Sequence, residues 1–413
     1  MQQKHSALLS EIIFYKRILI VDNHLSAVVI GLGAVGSATL YQLSKLYGSD
    51  VLGIEQFVSP HTLGSSHGET RITRLAIGEG EVYSPLAIRS HQIWREIEQK
   101  TQLSLFKNVG GLLISSPSAS RLHVEGFFET TQAAAKKYKI PHELLDQAEV
   151  AKRFPVFNLD DDESAYYEPD AGYLIPELCV KAQLDLAQAN GAQIHMNEKL
   201  LSYEQIGKQI KLVTSKGEYI TDKLILTAGS WLPELLPAKY SQLLEVHRQV
   251  LFWFNIKAEH YPQVAPENMP IFIWGIKNSS QGIYGFPVID GVSGGLKVAM
   301  ESVAKIDSPD EINREVTNEE IQAMYNIIAD KIRYLDGSCV KTAVCMYTVT
   351  PDHGFVIDKH PDVDGILIVS PCSGHGFKHS AALGEAFAQI VHDGKSKIDL
   401  SPFSSIRFTK EQP

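Results

Sequence analysis

Gly31, Gly33 and Gly36 form a G-x-G-x-x-G array between a strand-forming run, Ala27 to Ile30, and a helical run reaching Tyr47. In a strand–turn–helix unit the first glycine permits the tight turn. The second lets a pyrophosphate approach the backbone, and the third lets helix and strand pack closely. Phosphates would then lie beside Ala34 and Val35, where free amides and the macrodipole favour an anion. A second apolar run, Val51 to Ile54, ends in Glu55, whose carboxylate can accept hydrogen bonds from an adenosine ribose. These residues predict a dinucleotide site and leave open whether the ligand is NAD or FAD. Arg71 and Arg74 offer another chemistry. Three apart, they share a face if the segment is helical, and guanidinium forks match carboxylates in a bidentate way. On spacing alone the pair reads as a solvated basic edge. The four cysteines, Cys179, Cys339, Cys345 and Cys372, show no C-x-x-C spacing and no matched histidine pair. That argues against a zinc site or disulfide framework and fits a reducing, cytoplasmic compartment.

The elements that must position these residues follow from patterning. With 413 residues, 44% of them hydrophobic, the chain can bury a large core in two or three domains. Acids outnumber bases 48 to 38 and no basic block occurs, so nucleic acid is not an expected partner. No apolar run is long enough to span a membrane. Lys16 and Arg17 split the apolar stretch near the start, which argues against a signal peptide. The loop from Pro60 to Arg71 is too long for a simple turn, a length usually reserved for function. Helices are predicted over 84–100, 118–138, 146–153, 175–190, 310–332 and 379–392. Strands are predicted at 110–115, 193–196, 246–255, 340–348, 355–358 and 366–370, with a hairpin over 199–218 and further strands within 282–300. Asp160 to Glu163 reads as a solvated acidic loop. The buried run from Lys223 ends in Ala228-Gly229, a small pair that lets backbone pass close to a ligand. Ser373-Gly374-His375-Gly376-Phe377-Lys378 is a glycine-rich loop opening a helix, a second potential anion site.

With these pieces assembled, the chain resembles the monomeric sarcosine oxidase and N-methyltryptophan oxidase family of covalent FAD amine oxidases. The resemblance is carried by VVIGLGAVGSATLYQLSK, PHTLGSSHGETRITRLAIGEGEVYSPLAIRS, YGFP, GLKVAM, AVCMYTVTPDHGFVID and SGHGFKHSAALGE, in that order, over about residues 27 to 405. It implies an α/β (α+β) architecture like that of D-amino-acid oxidase. A Rossmann-like FAD-binding domain would comprise residues 26–110, 165–235 and 335–405. A mixed-sheet substrate domain would comprise 111–164 and 236–334, with residues 1–25 as an extension. Cys345, with Met346 beside it, matches the cysteine that forms a thioether to the flavin. Arg74 and Lys378 match the pair that holds a substrate carboxylate over the ring. Lys297 matches the lysine on the other ring face, where a cation favours reaction with oxygen. Arg71 would lie near the ring, and Tyr284 and Glu79 near the substrate.

Two positions depart from the sarcosine-specific pattern, since Glu301 and Leu75 stand where those relatives carry histidine. A carboxylate at 301 would repel the substrate's own carboxylate if close, or attract an ammonium. These departures point away from sarcosine itself and leave the covalent flavin and the carboxylate clamp in place. The expected protein is a cytoplasmic, monomeric FAD oxidase of N-methyl or cyclic secondary amino acids. It would convert the C–N bond to an imine and O2 to H2O2, with no metal. The alternatives are a flavin dehydrogenase using another acceptor, an NAD dehydrogenase, and a nucleotide-binding module without catalysis.

Overall fold

Val28 and Ile30 pack to one side of the Ala27–Ile30 strand, Ala27 and Val29 to the other, and all four are buried. A strand apolar on both faces belongs in the middle of a sheet covered on two sides. The computed structural model, which describes residues 24–116, 124–277, 279, 282–301 and 304–409, builds such a sheet. Its six strands run in the order Gln193–His195, Val51–Ile54, Ala27–Ile30, Leu224–Leu226, Ile366–Ser370 and Val356–Lys359. All pairings are parallel except the last. Helices Ala34–Tyr47, Ser84–Thr101, Pro176–Ala189 and Ser380–Asp393 contribute to the core on the side of Ala27 and Val29. On the other side a four-stranded sheet supplies Leu200, Ile210 and Leu212. Helix Ser380–Asp393 crosses Ala34–Tyr47 so closely that a Cβ on Gly384 would lie 2.4 Å from the Ala38 carbonyl carbon.

The larger sheet has nine strands and is mixed. Its longest pair, Glu245–Ile256 with Leu335–Val349, is antiparallel and also holds Leu296–Met300. Alternation along these strands separates two faces. Phe252, Phe254 and Val298 join the core that includes Met324 and Ile328 of helix Asn318–Ile328. Leu251, Trp253, Ala299 and Cys345 cluster on the opposite face with Tyr284 and Tyr347 packed against them.

Several elements differ from the sequence expectation. Arg71–Thr73 is a strand antiparallel to Gly172–Leu174, so Arg71 and Arg74 do not share a helical face. The helix expected over 310–332 is a short 3-10 turn at Pro309–Glu311 followed by Asn318–Ile328. Thr317 and Glu320 form a capping box that fixes the start, a signal present in the sequence. The helix expected from 118 begins at Phe127; residues 117–123 lie outside those described. Glu163 is buried, not solvated, because its carboxylate accepts the Trp274 indole N–H at 2.8 Å. Strand Ser164–Glu168 and strand Leu335–Val349 are hydrogen-bonded into the nine-stranded sheet, although the sequence division grouped most of their residues with the nucleotide-binding segments. Of the first 25 residues only His24 and Leu25 are described, as an edge strand paired with Glu218–Thr221. Among the described residues no helix is long and apolar enough to cross a membrane.

Candidate active site

The glycine turn shows why its first and third glycines exclude a side chain. Gly31 has φ +86°, and a Cβ there would lie 2.7 Å from the Thr227 carbonyl oxygen. A Cβ on Gly36 would lie 1.7 Å from the Gly31 carbonyl oxygen. Gly33 is different: only the Ser66 hydroxyl comes within 4 Å of its added Cβ, at 3.3 Å. The N-cap residue Gly33 supplies no side-chain cap to the helix that follows, and the Ala34 amide donates to Ser66 Oγ at 3.1 Å. Glu55 accepts the amides of Leu32 at 2.8 Å and Phe57 at 3.0 Å, with His61 Nε2 at 3.6 Å. Burial alone would push this carboxyl up, but those partners outweigh it and hold it below the usual range. Each oxygen retains acceptor capacity toward a ribose. A helix start with no N-cap side chain, a glycine open to its surroundings and an ionised acid on the neighbouring strand suit a dinucleotide. Ala34, Val35, Ala228, Gly229, Gly374, Gly376 and Phe377 line the same cavity as these residues. Gly376 has its own structural reason, since a Cβ would meet the Pro371 carbonyl oxygen at 1.7 Å.

That cavity also contains Arg71, Arg74, Glu79, Tyr284 and Lys378, brought together from 308 positions of chain. Arg74 Nη2 donates to Glu79 Oε2 at 2.7 Å, and Lys378 Nζ lies 3.6 Å from Glu79 Oε1. Arg74 also donates to the Ala76 carbonyl and stacks over Phe127 at 5.0 Å. Its Nε is buried without a hydrogen-bond partner. Lys378 donates to the His375 carbonyl at 2.7 Å. Burial pushes the Lys378 amine down to about 8; Glu79 opposes the shift and Arg74 adds to it. Two cations therefore share one carboxylate, leaving a net positive charge while Lys378 is protonated. A buried net charge calls for an anion.

The cysteine-bearing face of the nine-stranded sheet supplies the remaining residues. Cys345 and Tyr347 are two apart on one strand, Lys297 pairs across from Trp253, and Tyr284 from Ala299. Period-two geometry puts all of them on one face. Tyr284 and Tyr347 join hydroxyls at 2.9 Å. Lys297 donates to the Gly68 carbonyl and, at 3.0 Å each, to the carbonyl and hydroxyl of Thr70, with the Phe286 ring 4.7 Å away. Burial, and then Arg71, drive its amine well below the usual lysine range. Arg71 is held by the carbonyls of Thr70 and Ser65, both at 2.8 Å. Cys345 is fully buried. Burial raises its thiol pKa against the opposing pull of Arg71 and Lys297. Lys297, Cys345 and Met346 are not among the residues that line the cavity. Met346 packs with Trp231 and Val246, and its carbonyl accepts the Ser65 hydroxyl at 2.5 Å.

Sequence reasoning missed four residues of this chamber. Tyr347 lies within the quoted AVCMYT stretch and His375 within SGHGFKHS, so both were in view without a role. Ser66 likewise lies within the quoted PHTLGSSHGETRITRLAIGEGEVYSPLAIRS stretch, whereas Phe127 carries no sequence signal, because only tertiary contact brings it to Arg74.

The fold and cavity define a dinucleotide-binding α/β protein with a second, mixed sheet facing the site. Residues 26–390 match the FAD dependent oxidoreductase family, and the chain belongs to it. Monomeric sarcosine oxidase of Streptomyces avermitilis is 37% identical over 381 residues, 92% of this chain and 97% of that protein. N-methyl-L-tryptophan oxidase of Yersinia pestis is 32% identical over 389 residues, 92% of this chain and 98% of that protein. Among solved structures, NikD, an unusual amino acid oxidase essential for nikkomycin biosynthesis, aligns with TM-score 0.78 at 20% identity. That alignment covers 92% of this chain and 97% of NikD. The protein is thus an FAD-dependent oxidoreductase.

Proposed function

We propose that this protein oxidises an N-methyl or cyclic secondary amino acid at the C–N bond, giving an imine that hydrolyses and passing the electrons to O2 as H2O2. The observation that carries the reading is the meeting of Arg74 and Lys378 on one carboxylate inside the cavity that also holds the glycine turn. A substrate carboxylate is the natural counter-ion of that pair, and its fixation would orient the amine-bearing carbon for reaction, which is catalysis by positioning. FAD, when bound, accepts the two electrons. Arg74 and Lys378 would bind and orient the substrate, Tyr284 and Tyr347 would shape the substrate side, and Lys297, whose amine would take up a proton as negative charge develops, would favour electron transfer to oxygen. Cys345 is the thiol proposed to tether the flavin. Its raised pKa means that Arg71 and Lys297 must assist the loss of its proton. The division into a discontinuous nucleotide-binding domain and a substrate domain belongs to the same reading, as does a monomer in the cytoplasm.

The test is anaerobic mixing with N-methyl amino acids, proline and pipecolate, followed by admission of oxygen. Bleaching of the flavin band and one peroxide per amine consumed is the expected result. Bleaching without peroxide would make the protein a dehydrogenase with another acceptor. No bleaching by any secondary amino acid would leave only a nucleotide-binding module.

A further inference from the structure

We propose that Glu301 selects amino acids whose side chain carries a positive charge. This rests on the reading that Arg74 and Lys378 hold the substrate carboxylate, and it names the substrate class for that site. Glu301 immediately follows strand Leu296–Met300 and is four residues from Lys297. The even spacing aims both toward the face that bears Tyr284 and Cys345. Glu301 lines the same cavity as Arg74, Glu79 and Lys378, and its side chain is 25% exposed. His353 approaches it, Nδ1 to Oε1, at 3.8 Å, and the His353 carbonyl is hydrogen-bonded by His375 Nε2 at 3.1 Å. His375 in turn places its other ring nitrogen 3.7 Å from Glu79. Two of the acidic residues that line the cavity, Glu79 and Glu301, are therefore linked through one pair of histidines. Glu79 is engaged with the two cations of the carboxylate site, and Glu301 lies beside the His353 imidazole.

Ile273, Ile283 and Phe286 line the cavity as well and provide apolar surface for the methylenes of an extended side chain. A carboxylate that lines the same cavity as this apolar surface attracts an ammonium or guanidinium and repels a second acid, so it contributes both halves of specificity. The chemistry fits an N-methylated or cyclic amino acid with a basic tail, a lysine- or ornithine-like skeleton.

Two measurements separate this proposal from the function it rests on. In the first, the flavin spectrum of the holoenzyme is titrated with 6-aminohexanoate and with hexanoate, neither of which is a secondary amine to be oxidised. The ammonium compound is expected to bind on the order of tenfold more tightly, with the preference lost in Glu301→Gln and reversed toward hexanedioate in Glu301→Lys. Equal binding of the two acids by the native protein would overturn the proposal even if turnover of neutral substrates were normal. In the second, N-methyl-lysine is compared with N-methyl-norleucine in turnover. Glu301→Gln should lower kcat/KM for the first about tenfold and leave the second within twofold. Equal losses on both would assign Glu301 to the amine or to folding and overturn the specificity role. Failure of every secondary amine to bleach the flavin, with the binding preference intact, would instead sink the oxidase reading alone.

Discussion

Two buried lysines belong to the site, Lys378 lining the cavity and Lys297 outside its lining, and they differ in what surrounds their protons. Lys297 points its ammonium into the carbonyls and hydroxyl of the 68–70 loop between two aromatic rings, and among the described residues it makes no ion pair. Lys378 has one carbonyl and a carboxylate that it shares with Arg74. Burial depresses both amines. Glu79 holds Lys378 near 8, whereas Lys297, with Arg71 acting on it, falls well below its usual range. One lysine is thus kept charged at neutral pH. The other gives up charge readily, so a negative charge developing beside it would draw the proton back. On the proposed reading, the same residue type would serve binding in one place and charge compensation in the other, because of the partners the fold supplies.

Removing each lysine should separate these roles. Lys297→Met should slow reoxidation of the reduced flavin by oxygen about 10²–10³-fold, the usual loss for one preorganised electrostatic group. Anaerobic reduction by substrate should change far less. Rapid-mixing measurement of the two half-reactions would check it, and equal losses in both would erase the distinction. Lys378→Met should weaken carboxylate binding by about 2–5 kcal/mol, as for one partner of a buried charged pair, with oxygen reactivity unchanged. The readout is the dissociation constant of a carboxylate ligand.

The pH dependence sharpens the contrast further. In the free enzyme kcat/KM should fall as pH rises through about 8, by at most tenfold per unit, because neutral Lys378 no longer attracts the carboxylate. Stability should move the other way through this group. Its folded pKa lies below the ordinary 10.5, so the folded state releases the proton first and gains stability between about 8 and 10.5. A pH profile without an inflection near 8 would contradict the assignment, and Lys378→Met should abolish the inflection. The smallest effect is expected from Glu79→Gln. Removing the carboxylate that opposes the depression should move that inflection below 8, detectable by titrating ligand affinity.

Local chemistry made part of this legible. The glycine turn, Glu55, the helix at 176–189 and the strand carrying Cys345 follow from spacing and turn residues. Their backbone requirements act over a few positions and leave a mark in the chain. Arg71 and Arg74 show the limit. Spacing allowed a shared helical face, whereas pairing with Gly172–Leu174 made the segment a strand and sent the two guanidiniums to different partners. Glu163 likewise reads as a solvated acid until Trp274 is placed against it.

The sequence by itself determined a nucleotide-binding βαβ unit and, through its resemblance, the oxidase family with its cysteine, lysines and arginines. Only the tertiary structure decided that Arg74 and Lys378, 304 positions apart in the chain, share Glu79, that Lys297 is tied to the 68–70 loop, and that Glu301 opens into the same cavity. The reason is physical. Turn and helix chemistry is written in neighbouring residues, whereas charge compensation and proton affinity depend on which distant groups burial brings within a few ångströms.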